Sequence, residues 1–182
     1  IRICLVGSEM CIRDRPQAIN VMLDPADCGP AVISMSQDVQ GEAFDYPEIF
    51  FEEKIHQIRR IHPDPNQIQK AADKLKKSKQ PIIISGGGVL YSEAEEEISA
   101  FAKKHNIPVT ATVMGIGCMN KDDPYYISAI GCLGEGSSNN LATDTDLALA
   151  VGTKLGDFTT GSWTNFENEN FQLVSINTSR FD

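Results

Sequence analysis

The strongest indication of a ligand site in this sequence is a group of glycines that follows an apolar run. The run Ser85-Gly86-Gly87-Gly88 stands between an apolar stretch and a helical period, which puts backbone N–H groups at a helix N-terminus, where phosphate binds. The fingerprint of dinucleotide sites is incomplete, because Tyr91 occupies its last glycine position. Thr110 and Thr112 stand where that fingerprint requires an acid. A standard NAD site is therefore not expected, and the triplet either lines a pocket or only permits a tight turn.

Two other polar or glycine-containing runs also follow apolar segments, Thr112 to Gly117 and Gly152 to Trp163. Loops after parallel strands meet at one edge of the sheet, where open α/β folds bind ligands, so we expect all three runs to gather there. The last run is rich in hydroxyl groups and holds the only tryptophan, which indicates either a contact surface for a ligand or a solvated loop. The candidate pocket residues are Gly86, Gly87, Gly88, Thr112, Met114, Gly115, Gly131, Thr159 and Thr160.

Side chains that commonly carry catalysis or metals are not arranged for it. His56, His62 and His105 have no metal-ligand spacing, and no phosphate-loop, zinc-protease or serine-hydrolase motif occurs. The five cysteines are odd in number and none has Cys-x-x-Cys spacing, so neither a disulfide scaffold nor a structural zinc site is predicted. We assign no catalytic residue and no metal ligand, and free thiols favour a cytoplasmic protein.

Charge and length restrict the partners and the number of domains. Acidic residues outnumber basic ones 25 to 16, which gives a formal charge of −9 and opposes binding to nucleic acid. No apolar run approaches the roughly 18–20 residues of a membrane span. The 182 residues have room for one full domain and part of another, because a domain takes roughly 100–200 residues.

Short apolar strands alternate with helical periods over the second half of the chain. The predicted strands, which lack polar alternation, are Pro81–Ser85, Ile107–Thr112, Asp146–Gly152 and Phe171–Asn177. Such strands are typical of a parallel sheet covered by helices on both faces. The sequence therefore predicts an α/β fold, a Rossmann-like parallel sheet.

Helix ends can also be predicted from local chemistry. Ser92 with Glu95 three residues later has the spacing of a capping box, so a helix is expected to begin there. Asn106 is expected to end it. The lysines from Lys74 to Lys79 suit the C-terminal turn of the preceding helix, where the helix dipole favours cations.

The first 66 residues have a weaker pattern. Residues 1–15 show neither helical nor strand periodicity and resemble a translated sequencing-adapter artefact, so we interpret them as non-native or disordered. Residues 46–66 contain Pro47, Pro63 and Pro65 without a strong period, which indicates a linker.

Several of these runs resemble the thiamine-diphosphate-dependent enzymes. Pro81 to Gly88, Ile107 to Thr112, Gly131 with Gly134, and Asp146 to Leu155 are similar, in this order, to the central domain of that family. The resemblance assigns residues 67–182 to the central domain. It assigns residues 16–45 to the C-terminal end of a preceding pyrimidine-binding domain, a fragment of a second α/β domain.

Two unusual runs within that family, Asp38 to Pro47 and Gly156 to Trp163, resemble the C–C bond hydrolases of myo-inositol catabolism. This resemblance implies a cyclic polyol dione as the substrate: trihydroxycyclohexane-1,2-dione would be opened to 5-deoxyglucuronic acid. It implies thiamine diphosphate and Mg²⁺ in a full-length homo-oligomer. Pyrimidine- and diphosphate-binding domains would hold both cofactors, and the Gly-Asp-Gly of the latter is missing here. We expect the fragment alone to be inactive.

Two alternatives stay open at the level of the sequence. Some relatives bind FAD or ADP in the central domain through loops that match the three runs above, so the chain could be a nucleotide-binding module. It could also be a purely structural central domain of another thiamine-diphosphate enzyme, such as an acetolactate synthase-like carboligase or a decarboxylase.

Overall fold

A computed structural model describes residues 2–4, 8–41, 43 and 45–179. The chain divides into two compact units, Ile1–His62 and Pro63–Asp182. No helix in the described part of the chain is long and apolar enough to span a membrane.

The first unit pairs two short parallel strands, β1 (Arg2–Cys4) and β2 (Val32–Ser34). Its helices are α1 (Ser8–Met22), α2 (Gln37–Gln40) and a 3₁₀ turn (Glu48–Phe50). Residues 51–64 form neither helix nor strand, within the segment interpreted as a linker.

Helix α1 begins inside the adapter-like segment 1–15, of which residues 1 and 5–7 lie outside the described part of the structure. Residues 42 and 44 of the run Asp38 to Pro47 also lie outside it. The domain boundaries and the non-native origin of residues 1–15 stay predictions.

The second unit is built on a parallel sheet of five strands. They are β3 (Pro81–Ser85), β4 (Val109–Ala111), β5 (Tyr126–Ala129), β6 (Leu147–Val151) and β7 (Gln172–Ile176). Their order in the sheet is β5-β4-β3-β6-β7, and every neighbouring pair is parallel. The α/β fold predicted from the sequence is confirmed, with β5 as a strand that the sequence did not predict.

Strand β3 lies at the centre of this order. The chain runs outward from β3 to β5 and then returns, so that β6 pairs with the other side of β3. The loops that follow β3 and β6 therefore leave the sheet on either side of a topological switch point. This is the position at which open α/β sheets bind ligands.

Helices cover both faces of the sheet, as predicted. They are α3 (Pro65–Lys77), α4 (Gly87–Tyr91), α5 (Glu95–His105), α6 (Gly136–Asp144) and α7 (Asp157–Thr160). Ile83 packs with Ile98 and Ala102 of α5 on one face, whereas its neighbours Ile82 and Ile84 pack with Ala142 of α6 on the other. Burying each such isoleucine contributes about 1.5–3 kcal/mol, which explains why these strands carry no polar alternation.

One predicted helix start is wrong. Ser92 does not cap α5: it follows the last residue of α4, and its N–H donates to Gly88 O over 3.0 Å. The short helix α4 already begins within the glycine triplet, and α5 begins only at Glu95 after a turn in which Glu93 has φ +54°. The predicted end of α5 is confirmed, since Asn106 is left-handed at φ +54°.

Candidate functional site at the carboxyl edge of the sheet

The loops after β3 and β6 touch backbone to backbone. Gly86 N–H donates to Val151 O over 2.9 Å, and Gly88 N–H donates to Gly152 O over 2.8 Å. A Cβ on Gly88 would lie 2.6 Å from Gly152 Cα, and one on Gly86 would lie 2.4 Å from Gly152 O. Two N–H groups of the triplet are thus used inside the fold, which favours a tight-turn role over a phosphate-binding role.

The loop after β4 joins the same cluster. Thr112 is buried, and its N–H donates to Ser85 O over 2.9 Å. Gly115 lies against the same carbonyl, because a Cβ there would be 2.1 Å from Ser85 O. Met114 lies next to Gly87 and remains 71% exposed. The loops after β3, β4 and β6 therefore meet at the carboxyl edge.

Gly131, Thr159 and Thr160 belong to a second cluster at the end of β5. Gly131 has φ +101°, and a Cβ on it would lie 2.0 Å from Phe158 O. The next residue donates to the same oxygen, from Cys132 N–H over 2.8 Å. The loop after β5 is thereby held against the beginning of the hydroxyl-rich run.

The hydroxyl-rich run uses part of its polarity internally. Thr160 is fully buried: its hydroxyl donates to Gly156 O over 3.3 Å and accepts from Trp163 N–H over 3.1 Å. Gly161, Ser162 and Trp163 follow with φ values of +58°, +55° and +67°, three left-handed residues in succession. Such a conformation is uncommon for residues other than glycine and fixes the direction in which Trp163 leaves the turn.

The indole of Trp163 is partly buried against other aromatic rings and partly exposed. Its ring lies 5.9 Å from the ring of Phe166, which stacks on Phe171 at 4.5 Å. The tryptophan is still 47% exposed. It packs against Phe166 and retains surface for another contact.

Large apolar side chains are exposed on all four of these loops. Tyr91 follows β3, Met114 follows β4, Leu133 follows β5 and Phe158 follows β6, and each is at least 70% exposed. Where such side chains form one patch, the patch is typical of sites that meet a ligand or another protein surface. The carboxyl edge thus combines close-packed glycines beneath with apolar side chains above.

The described residues place Asp157 after β6 but bring no cluster of metal ligands to this edge. They contain no cluster of three or more His, Cys, Asp or Glu side chains that could hold a metal ion. His105 lies elsewhere, with its ring 4.5 Å from that of Phe101. Without such a cluster, we place neither Mg²⁺ nor a diphosphate anchored by Mg²⁺ on these residues, and we derive no chemical step on this chain.

A groove of about 690 Å³ lies between α5 and the segment 117–124, and none of the nine candidate pocket residues lines it. Asp123 holds it together: it accepts from Tyr125 N–H, Ser99 Oγ and Lys103 Nζ, each over 3.0 Å. The Tyr125 N–H and the charged Lys103 lower the pKa of Asp123 against the opposing effect of burial. Burial raises the pKa of the Cys118 thiol, which lines the same groove.

Sequence reasoning missed two asparagines, Asn139 and Asn165. Asn139 in α6 bonds both backbone groups of Gly131 and also the side chain of Asn165. Its partners are 8 and 26 residues away, so no periodicity or spacing in the sequence indicates the contacts.

Comparison with known proteins agrees with this architecture. The family model described as "Thiamine pyrophosphate enzyme, central domain" matches residues 68–182. The 3D-(3,5/4)-trihydroxycyclohexane-1,2-dione hydrolase of Clostridium botulinum is 43% identical over 164 residues, covering 90% of this chain and 26% of the relative.

Two Bacillus proteins with related names are similar. The 3D-(3,5/4)-trihydroxycyclohexane-1,2-dione hydrolase 1 of Bacillus cereus is 41% identical over 165 residues, and the hydrolase of Bacillus thuringiensis is 40% identical over 165. In both cases the match covers 91% of this chain. The chain spans about a quarter of the length of these relatives, 26%. Because the family model matches well over half of the chain and the sheet has the expected parallel order, the chain belongs to the thiamine pyrophosphate enzymes and carries their central domain.

Proposed function

We propose that this chain is part of a thiamine-diphosphate-dependent hydrolase that opens a trihydroxycyclohexane-1,2-dione ring. The net reaction adds one molecule of water across a C–C bond next to a ring carbonyl. The observation that carries the proposal is the identity of 40–43% with relatives of this name over 90% or more of the chain.

The carboxyl edge of the sheet is the part of this chain that we propose to bound the active-site cleft. The exposed apolar side chains Met114, Leu133 and Phe158 and the half-exposed Trp163 support this role. The apolar face of a polyhydroxylated ring can stack on an indole, while Asp157 and Ser162 offer hydrogen bonds to its hydroxyls. Of the nine candidate pocket residues, Met114 and Thr159 are the side chains that can take part directly, whereas the glycines shape the loops beneath.

Thiamine diphosphate and Mg²⁺ are proposed to be held by pyrimidine- and diphosphate-binding domains outside this chain. The match to the central-domain family model, together with the 26% share of the relatives' length that this chain spans, supports that division of labour. We further propose a cytoplasmic homo-oligomer. The cysteines Cys28, Cys118 and Cys132 are unpaired, which suits a reducing compartment.

The test has two parts. First, calorimetry of this chain with thiamine diphosphate and Mg²⁺ is expected to show no saturable heat; a micromolar dissociation constant, about −8 kcal/mol, would overturn the assignment of the cofactor to other domains. Second, the complete polypeptide that contains this chain is expected to consume the cyclic dione in a cofactor-dependent manner. Turnover of pyruvate in place of the dione would identify a carboligase or decarboxylase instead.

A nucleotide-binding central domain is the second candidate, and the exposed apolar edge is the observation in its favour. Binding of ADP or FAD to this chain is measured directly by calorimetry. The bonds from Gly86 and Gly88 N–H to the β6 segment argue against a diphosphate on the triplet, so we expect no binding there.

A further inference from the structure

Two loops at the carboxyl edge are bonded to each other through one side chain. The loop after β5 carries Leu133, 70% exposed, and the segment 156–165 carries Phe158 and Trp163, 73% and 47% exposed. The side chain of Asn139, on the first turns of α6, lies between the two. We call these two loops together the apolar wall.

The side chain of Asn139 makes two hydrogen bonds to the first loop, one as acceptor and one as donor. Its Oδ1 accepts from Gly131 N–H over 2.9 Å, and its Nδ2 donates to Gly131 O over 3.0 Å. This pair of bonds fixes which way round the amide lies, because the backbone N–H requires an acceptor and the carbonyl a donor. Among side chains of this length, only asparagine offers both groups.

The same oxygen of Asn139 reaches the second loop. It accepts from Asn165 Nδ2 over 3.3 Å, and Asn165 N–H donates to Thr160 O at the base of the left-handed turn. A second tie runs from Cys132 N–H to Phe158 O, and Cys132 directly follows Gly131, which Asn139 bonds on both backbone groups and whose carbonyl also accepts from Gly134 N–H. We expect loss of the Asn139 contacts to weaken both ties, and loss of the Asn165 contact to weaken only the first.

We propose that Asn139 is a positioning residue that joins the two loops into one preformed wall and sets the place of Trp163. Because the bonds named above are made inside the chain, we expect the wall to keep its shape without a ligand. Its role towards the substrate rests on the proposed function: a preformed wall spares the enzyme the cost of ordering these loops when the ring binds.

Trp163 is the only tryptophan of the sequence, so tryptophan fluorescence of the isolated chain reports on the apolar wall. We compare Asn139→Ala and Asn165→Ala with the control Asn140→Ala, which changes an exposed asparagine next to Asn139. Acrylamide quenching of Trp163 is expected to rise most in Asn139→Ala, about twofold, less in Asn165→Ala, and not at all in Asn140→Ala, with emission shifting to the red in the same order.

Asn165→Ala keeps the test decisive if Asn139→Ala fails to fold, because it leaves both Gly131 bonds in place. Unchanged quenching in a folded Asn165→Ala variant, or an equal rise in the Asn140→Ala control, would overturn the proposal. In the complete enzyme, Asn165→Ala is expected to raise KM for the dione several-fold with kcat nearly unchanged. Absence of any dione turnover in the unaltered enzyme would contradict the proposed function and leave the fluorescence result standing.

Discussion

Gly88 and Gly152 approach each other so closely that a Cβ on either would lie 2.6 Å from the Cα of the other. The contact joins the loops after the two neighbouring strands β3 and β6, at the switch point of the sheet. Gly88 N–H also donates to Gly152 O over 2.8 Å. Glycine is thus required here by the space between two backbones, in addition to any role in binding.

Gly88→Ala is therefore expected to destabilise the fold by about 1–3 kcal/mol, because neither backbone can give way without disturbing the sheet. Gly136→Ala is the matched control: Gly136 is the first residue of α6, and a Cβ there would meet nothing within 4 Å. It should stabilise the chain by about 0.4–1 kcal/mol, since alanine has fewer conformations in the unfolded state. Urea unfolding of both variants measures the difference, and equal stabilities would contradict the packing argument.

The strands that could be predicted from the sequence are those formed by continuous runs of apolar residues. Ile82–Ile84 and Leu147–Ala150 are continuous apolar runs because helices cover both faces, and both were identified as strands. Strand β5 was missed because its four residues are half-buried and mix tyrosine and serine with apolar residues. The capping box at Ser92 failed because a short helix, α4, precedes it and Ser92 ends that helix by donating to Gly88 O.

Asp146 joins the start of β6 to the turn before β3. It accepts from Ser78 Oγ, from Lys79 N–H over 2.8 Å and from Gln80 N–H over 3.1 Å. Burial opposes ionisation, but these three bonds together outweigh it and lower the pKa of Asp146. We expect Asp146→Ala to cost about 1.5–3 kcal/mol at neutral pH, the range of hydrogen bonds to a charged group.

The pH dependence of that loss follows from the lowered pKa. A carboxylate whose pKa is lower in the folded state stabilises the fold above its unfolded pKa of about 4, and the contribution is lost as the pH falls through the folded pKa. The free-energy difference between wild type and Asp146→Ala should accordingly shrink in acid. Unfolding at pH 7 and pH 3 tests this, with the exposed Asp122→Asn as a control that should lose nothing at either pH. A constant difference would show that the contribution of Asp146 does not depend on its charge.

We expect Asp123 and Lys103, which form an ion pair in the groove beside α5, to contribute unequally to the stability of the fold. The side chain of Asp123 is 7% exposed and also accepts from Ser99 and Tyr125, whereas that of Lys103 is 53% exposed. Asp123→Ala should lower the melting temperature more than Lys103→Ala, because it leaves the half-buried Ser99 hydroxyl and the Tyr125 N–H without their acceptor. A thermal melt of each variant decides, and a larger loss in Lys103→Ala would mean that the ion pair itself dominates.

The cysteines should differ in reactivity. Cys118 is fully buried and burial raises its pKa, while Cys28 and Cys132 are exposed. Because the thiolate is the reactive form, Cys118 should react at least about tenfold more slowly than Cys132 with a thiol reagent in the native state. Cys118→Ala should leave the native count of reactive thiols unchanged and lower the count by one in denaturant. A lower native count in that variant would place Cys118 at the surface.

Trp163 and Thr160 separate the two roles of the hydroxyl-rich run. Both were candidate substrate contacts on the sequence, but Thr160 is fully buried and bonds within its own turn, whereas Trp163 is 47% exposed. In the complete enzyme, Trp163→Ala is expected to lower kcat/KM by the loss of one good contact, about 1–3 kcal/mol, with little change in melting temperature. Thr160→Val keeps the shape of the side chain and removes its hydroxyl, so it should lower the melting temperature by about 2–4 °C for each kcal/mol of stability lost. The effect of Thr160→Val on kcat/KM should be smaller than that of Trp163→Ala. If Trp163→Ala instead melts early and keeps kcat/KM in the folded fraction, the tryptophan serves the packing on Phe166 and not the substrate.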